Sequence, residues 1–537
     1  MSLVSTILGA HHPDEQQALI ADDAVWTFAQ IRGCVSAYAT QLREQGVQSG
    51  DRVALLAGQT PAFWIAFLAI RSLGAVVVPL NLLLPKPTLM SIIAHAGCRL
   101  LALDGSVIAQ FQANMSDQQR DALIAQLPPL CMISLEPAAE NAPLLNNAQA
   151  LNFSDIELDP NVLAVLIYTS GTTGVPKGVM LSEANLLANL DGIKASLQAN
   201  PDIDRMLLAL PLFHAFGLTI GLYCLSIGMP LILVSQWHPK AILVAMAAHQ
   251  PTLLPLVPTL FGLLLKAAPV CPSSVLRACI AGGARLPIST LEQLERQWQV
   301  PLLQGYGLTE ASPVVAVNRP GFNKAGTVGT PLKNISVAIV TSDGRMHCHS
   351  ELAKTDQTTP TQTPDGEIWV KGPSIMLGYY QLPSHQIASG DVHLNEQGWL
   401  QTGDLGHLDA DGYLTISGGR IKELIIRAGE NIAPSVIEHA LESDPELMGN
   451  IENLAIVGRP DERLGEAIVA CVVLKAGQHE AEVKSALMAA ARSALPAWMV
   501  PDEVVVLDSF PLGATGKVSK SALVSQLPTM AKVADKA

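Results

Sequence analysis

Between Tyr168 and Gly178 the chain reads Tyr-Thr-Ser-Gly-Thr-Thr-Gly-Val-Pro-Lys-Gly, a run of hydroxyls and glycines that ends on a lysine. Glycines let backbone N–H groups come close to anionic oxygens, hydroxyls donate hydrogen bonds, and a lysine adds a point charge. A polyphosphate site needs those three things. The run is not a Walker A loop, because Pro176 precedes the lysine and no Ser or Thr follows it. A merely flexible surface loop would not require so dense a set of donors.

Four further motifs follow along the chain. Gln304-Gly-Tyr-Gly-Leu-Thr-Glu-Ala311 offers an aromatic platform in Tyr306 and a carboxylate for Mg²⁺ in Glu310. It lacks the third glycine of a dinucleotide-binding turn. Trp399-Leu-Gln-Thr-Gly-Asp404 presents an acid on a turn, suited to sugar hydroxyls. Gly418-Gly-Arg-Ile-Lys-Glu-Leu-Ile426 and Pro511-Leu-Gly-Ala-Thr-Gly-Lys517-Val-Ser-Lys520 complete the set. Taken singly, each of these four reads as an ordinary turn or solvated loop.

The elements that must position them show in the apolar pattern. Residues 162–169 read as a buried strand, and Ser182 is placed to cap a following helix. Strands are expected at 205–210, 231–234, 252–257 and 275–281, with helices at 239–249 and 287–299 between them. Near the N-terminus a strand at 51–57, a helix at 61–73 and a strand at 75–79 repeat the theme. Such alternation predicts a mainly parallel, layered α/β domain. No charged residue lies between Arg205 and Lys240, yet Pro211, Gly217, Gly221, Gly228 and Pro230 divide that span. A buried strand–helix–strand passage fits it better than a membrane span. Residues 136–161 read as a linker and 345–366 as a polar surface excursion. In the latter, His347-Cys348-His349 are adjacent residues that point different ways, with no matching ligands nearby, and do not read as a metal site. Beyond residue 417 the charges become evenly mixed, with a helix at 434–443 and strands at 453–458, 467–474 and 504–507. That texture predicts a separate α+β domain of roughly 115 residues.

Composition bounds the rest. Of the 537 residues 49% are hydrophobic and 15% charged, which excludes a largely disordered chain. Lys+Arg of 33 against Asp+Glu of 47 gives −14, so nothing favours nucleic acid or an anionic membrane surface. Eight cysteines without a C-x-x-C pair fit a reducing compartment. The first residues lack a basic leader. The expected location is the cytoplasm, with at most peripheral membrane contact.

In this order the five motifs resemble the adenylate-forming superfamily of acyl-CoA synthetases, luciferases and peptide-synthetase adenylation domains. The likeness covers nearly the whole chain, including Trp26-Thr-Phe-Ala, Gly50-Asp-Arg-Val-Ala54 and Gly74-Ala-Val-Val-Val-Pro-Leu-Asn81. It implies an α/β fold with a large layered N-terminal domain, residues 1–419, and a small mobile α+β C-terminal domain, residues 420–537. By the same resemblance Thr169, Ser170, Gly171, Thr172, Thr173, Gly174 and Lys177 handle the β/γ-phosphates of ATP. Gly282, Gly283 and Ala284 lie beside the adenine, and Tyr306, in the motif with Gln304 and Gly305, stacks on it. Thr309 contacts the α-phosphate, Thr169 and Glu310 hold Mg²⁺, and Asp404 and Arg420 take the ribose hydroxyls. Lys422 is the hinge, and Lys517 bridges carboxylate and α-phosphate during adenylation.

His214, in Pro211-Leu-Phe-His-Ala-Phe-Gly217, takes the position flanking the substrate carboxyl in these relatives. The segments expected to line the acyl pocket, 214–221, 281–283, 305 and 312–317, contain no acid. An amino acid would leave its ammonium unpaired there. A medium- or long-chain fatty acid is the expected guest, with an aryl acid second. After Ile426 the sequence Arg427-Ala-Gly-Glu-Asn431 departs from the usual small residue and two glycines. That region, with Gly429, passes the pantetheine arm, and Arg427 is expected to meet a phosphate. The expected activity is an ATP- and Mg²⁺-dependent acid–thiol ligase using coenzyme A. The alternatives are an acyl-AMP ligase loading a carrier-protein phosphopantetheine, an aryl-acid CoA ligase, and a non-catalytic protein that kept the fold.

Overall fold

The computed structural model describes residues 2–22, 24–82, 84, 86–105, 107, 127–133, 151–169, 177–236, 238–284, 286–348, 362–381, 392–420, 425–427, 430–432, 434–461, 465–512 and 518–527. Ser170, Gly171, Thr172, Thr173, Gly174, Lys422, Gly429, Lys517 and His349 lie outside the described residues, as does much of 136–161 and 345–366.

Strands buried on both faces carry unbroken apolar runs, and two sheets are built that way. In one, Leu163–Thr169, Val76–Pro79, Arg52–Leu56, Leu100–Asp104 and Leu130–Ile133 lie side by side and parallel. Alternate side chains leave opposite faces of a strand. Val53, Leu55, Val77, Leu100 and Ala102 therefore enter a central core, while Ala54, Leu56, Val78, Leu101 and Leu103 meet the helix Lys86–Ala96. The second sheet runs parallel through Leu302–Gly307, Ala278–Ala281, Leu253–Leu256, Met206–Leu208, Leu231–Leu233 and Gln17–Ala21. Met206 and Leu208 face the central core, whereas Leu207 faces the helices Pro239–His249, Pro258–Ala267 and Ile288–Trp298. The shared core also takes Pro61–Ser72, apolar on every side and buried from Pro61 to Arg71, together with Ala215–Ser226. The uncharged passage is thus strand, buried helix and strand, and no helix among the described residues is long and apolar enough to cross a membrane.

Two expectations are corrected. The phosphate loop does not lead straight into a helix. Lys177–Ser182 first returns as a strand antiparallel to Leu163–Thr169, with Thr169 opposite Lys177. Burial of Gly178, Val179, Leu181 and Ser182 favours that extra strand. Further on, Met346–Cys348 is a strand rather than part of a surface excursion. It belongs to an antiparallel sheet with Ser336–Val340, Gly366–Lys371, Leu400–Leu408 and Leu414–Arg420. Strands such as Gly366–Lys371 bury alternate residues only, so they lack the continuous apolar run that marks the parallel strands.

The small C-terminal domain has its own core, built from Ile425, Ile437, Ile456, Ile468 and Leu487. Ile451–Asp461 pairs antiparallel with Gly465–Leu474, and Glu503–Val506 adds in parallel. Helices Pro434–Glu442 and Glu480–Ala494 pack on this sheet, as the α+β reading requires.

One helix of the large domain, Glu183–Leu197, is fastened at its first turn. Ser182 and Asn185 form a reciprocal capping box. Glu183 and Arg71 are both fully buried, with Nη2 donating to Oε1 at 2.6 Å and Nε at 3.1 Å. Arg71 Nη1 donates to the Ala75 carbonyl, and the Leu3 N–H donates to Glu183 Oε2 at 3.1 Å. Removing one partner of such a pair strands a buried charge and costs about 3–5 kcal/mol. Glu183→Gln is therefore expected to lower the first thermal unfolding transition by several degrees, read by calorimetry. An unchanged transition would show that the pair does not anchor the helix.

Candidate active site

Thr169 and Lys177 face each other at the end of the paired strands, and Thr169 Oγ1 donates to the Lys177 carbonyl at 3.4 Å. Behind them Tyr168 packs against Gly178. Burial holds the Tyr168 phenol above its ordinary pKa, so the hydroxyl stays protonated, 2.7 Å from His95 Nδ1. A short strand, Gly378–Tyr379, completes this edge of the sheet by pairing with Lys177–Ser182. Tyr379 is 6% exposed; its hydroxyl donates to Glu310 Oε1 at 2.6 Å, and Lys177 Nζ lies 5.4 Å from its ring centre. Lys177 and Glu310 therefore share one tyrosine.

Glu310 sits in the single turn Thr309–Ala311, which follows the strand Leu302–Gly307. Gly307 is required between them, since a Cβ there would stand 2.0 Å from the Pro313 carbonyl oxygen. Side chains of the Glu183–Leu197 helix hold this turn from behind. Asn189 Nδ2 donates to the carbonyls of Ala311 and Val314 at 3.2 and 2.8 Å, and its Oδ1 accepts from Val314 N–H. One turn earlier, Asn185 Nδ2 donates to the carbonyls of Pro373 and Ile375, both at 2.8 Å. The Met376 N–H then donates to the Glu310 carbonyl. Both asparagines are buried and fully used, so the turn is fixed before any ligand arrives.

The sequence-predicted nucleotide residues converge on the ends of these strands. Gly282 is buried and Gly283 and Ala284 are exposed just past Ala278–Ala281, beside Gln304 of the neighbouring strand. Tyr306 donates its hydroxyl to Asp404 Oδ2 at 2.6 Å. Asp404 lies opposite Arg420 in the pairing of Leu400–Leu408 with Leu414–Arg420. The proposed base platform and both proposed ribose residues are thus joined.

Beside Tyr306 opens an apolar pocket with a volume of about 70 Å³. Its walls include Phe216, Ile220, Ile280, Gly305, Val314 and Val317, all from segments foreseen in the sequence or adjoining them. A Cβ on Gly282 would meet the Phe216 ring at 3.0 Å, so the glycine shapes the wall. His214 caps the helix Ala215–Ser226, half-buried at the entrance to that helix, with its ring 4.7 Å from that of Phe213. It is not among the cavity walls.

Three features escaped the sequence reading. Tyr379 has no motif around it. Ile193 and Leu197 also line the cavity. With Asn185 and Asn189 they recur every fourth residue along one helix face. Two asparagines at that spacing, inside an otherwise apolar stripe, were the available signal. Arg427 Nη2 donates to Asp502 Oδ1 at 2.5 Å and its Nη1 to the Trp498 carbonyl at 2.7 Å. The guanidinium thus ties Ile425–Arg427 to the turn before Glu503–Val506.

Among the described residues no group of three or more His, Cys, Asp or Glu could hold a metal ion by itself. Glu310 and Thr169 are nevertheless hard oxygen donors, and Glu310 Oε1 is oriented by Tyr379. That set fits Mg²⁺, which keeps water and substrate phosphate oxygens in its shell and needs one or two protein ligands.

The sequence model of the AMP-binding enzyme family matches residues 9–380, and that of its C-terminal domain matches residues 437–517. The chain is 33% identical over 506 residues to an indoleacetate–CoA ligase of Aromatoleum aromaticum, covering 92% of each chain. It is 32% identical over 526 residues to a long-chain-fatty-acid–CoA ligase of Bacillus subtilis, covering 93% of this chain and 90% of that one. In fold it is similar to the Bacillus subtilis O-succinylbenzoate coenzyme A synthetase solved with ATP and magnesium ion. The TM-score is 0.79 at 28% identity, over 97% of this chain and 98% of that one.

Asn189→Leu keeps the branching of the side chain and removes the bonds to Ala311 and Val314. Unmade hydrogen bonds to buried backbone cost about 1–3 kcal/mol. Acid-dependent pyrophosphate release should fall roughly tenfold or more, with both acid and ATP kinetics affected. Activity within about twofold of the parent would refute a positioning role for this side chain.

Proposed function

Because the chain belongs to the AMP-binding enzyme family and is an AMP-forming acid–CoA ligase, we propose that its acid is apolar, a medium- or long-chain fatty acid first. The carrying observation is the cavity wall, in which, among the described residues, Tyr306 is the only side chain able to ionise. An ammonium, sulfonate or second carboxylate placed there would be buried without a counter-charge. Hydrocarbon needs none, and Ile193, Leu197, Ile220, Ile280, Val314 and Val317 give it contacts. The Phe216 ring beside Gly282 favours an aryl acid as the second reading.

In the first half-reaction a carboxylate oxygen bonds to the α-phosphorus of ATP, the bond to the β-phosphate breaks, and pyrophosphate leaves. Lys177, with Thr169, Ser170, Gly171, Thr172, Thr173 and Gly174, holds the β- and γ-phosphates, and Thr309 the α-phosphate. Tyr306 supports the adenine, flanked by Gly282, Gly283 and Ala284, while Asp404 and Arg420 take the ribose hydroxyls. Thr169 and Glu310 would hold Mg²⁺, which when bound offsets phosphate charge. Lys517 offsets the remaining repulsion between carboxylate and phosphate, and His214 flanks the carboxylate. In the second half-reaction the CoA thiolate attacks the acyl carbon and AMP leaves. The small domain, residues 420–537, turns about Lys422 between the two, and Gly429 leaves room for the pantetheine arm. A carrier-protein phosphopantetheine is the alternative acceptor. Arg427, held by Asp502 and the Trp498 carbonyl, is placed in this reading to meet a phosphate of either acceptor.

ATP–pyrophosphate exchange over a panel of acetate, hexanoate, decanoate, palmitate, phenylacetate and leucine tests the substrate class. Decanoate or palmitate should support the fastest exchange and leucine none. Preference for leucine or acetate would overturn it. Lys517→Ala should abolish exchange while leaving thioester formation from pre-made acyl-AMP within roughly tenfold of the parent. Equal loss in both half-reactions would remove its step-specific role.

A further inference from the structure

We infer that Tyr379 is a positioning residue for adenylation, acting on the Mg²⁺ carboxylate through its hydroxyl and on the phosphate-loop lysine through its ring. The inference rests on the proposed roles of Glu310 and Lys177 and adds a residue that no motif supplies.

The backbone around Tyr379 is held on two sides. Tyr379 lies opposite Val179 on the strand that starts at Lys177, and the flanking Leu377 and Tyr380 N–H groups donate to the carbonyls of Met180 and Gly178. Three residues earlier the Met376 N–H donates to the Glu310 carbonyl. Ser312 Oγ donates to the Ser374 carbonyl, and Asn185 grips Pro373 and Ile375. The segment 373–380 is therefore a strap between the hairpin that carries the phosphate loop and the turn that carries Glu310. Its side chain then does chemistry across the same gap. The hydroxyl donates to one carboxylate oxygen at 2.6 Å, in a pair where donor and acceptor residues are each 6% exposed. A hydrogen bond to an ionised carboxylate in such surroundings is strong and directional. It fixes the rotation of the carboxylate and so the direction in which its second oxygen faces. The ring meanwhile gives Lys177 an electron-rich face 5.4 Å from its ammonium, which biases where that charge rests.

The two contacts separate by substitution. Tyr379→Phe keeps the ring and deletes the hydroxyl, whereas Tyr379→Leu deletes both. Each variant is first compared with the parent by circular dichroism and thermal unfolding. ATP binding without acid is then titrated calorimetrically, with excess chelator and at increasing Mg²⁺, and ATP–pyrophosphate exchange is measured with decanoate. For Tyr379→Phe the Mg²⁺ concentration giving half-maximal ATP binding should rise about tenfold, exchange kcat should fall about tenfold, and metal-free ATP binding should stay within about twofold. Tyr379→Leu should add a loss of about threefold in metal-free ATP binding. In the background of Glu310→Gln, Tyr379→Phe should have little further effect, because the bond it removes is already weakened. A folded Tyr379→Phe with the parent's Mg²⁺ dependence would overturn the inference while leaving the reading of the site intact. A parent protein that binds no ATP with Mg²⁺ would overturn both.

Discussion

The buried pair of Arg71 and Glu183 fixes the helix on which both halves of the site lean. Two charges with no exposed surface survive only where hydrogen bonds replace water on every side, and here the Ala75 carbonyl and the Leu3 N–H do so. Position and rotation of the helix Glu183–Leu197 follow from that first turn. One face then presents Asn185, Asn189, Ile193 and Leu197 in succession. The asparagines grip the strap at 373–375 and the turn at 311–314, and the two aliphatic residues close on the cavity. A polar task and an apolar task are thus set by one rigid element.

Electrostatics divides the molecule in a similar way. A net charge of −14 describes its surface, whereas a reaction that brings a carboxylate to a triphosphate needs local cations and fixed donors. In the proposed reading Lys177 at the hairpin is one such cation, and the oriented carboxylate of Glu310 would hold Mg²⁺ as another. The neighbouring cavity has the opposite character, and its described lining offers no counter-charge for a second charge. Discrimination among acids then depends on shape and hydrocarbon contact, which is a weaker filter than a buried polar mismatch.

The sequence told much of this, and unevenly. Parallel strands buried on both faces were legible because their apolar runs are continuous, and Ser182 marked its helix through capping chemistry. The antiparallel strand Gly366–Lys371 was not, since a half-exposed strand with alternating burial resembles a loop in composition. The motif residues Thr169, Glu310, Tyr306 and Asp404 could be named from the pattern. Tyr379 and Asn189 could not, because their importance lies in partners 69 and 122 to 125 residues away in the chain. The contact of Arg427 with Asp502 was hidden for the same reason, the carboxylate lying 75 residues on.

The most direct measurement is the affinity of a series of N-acylsulfamoyl adenosines, unreactive mimics of the acyl-adenylate, with chains lengthened from acetyl to myristoyl. If the cavity between Phe216 and Leu197 receives the chain, each added methylene should contribute about 0.8 kcal/mol until the space is filled. Leu197→Ala should then move that limit to longer chains without changing the affinity of the acetyl compound. An affinity that does not depend on chain length, or a limit that Leu197→Ala leaves in place, would contradict the assignment of this cavity to the acid.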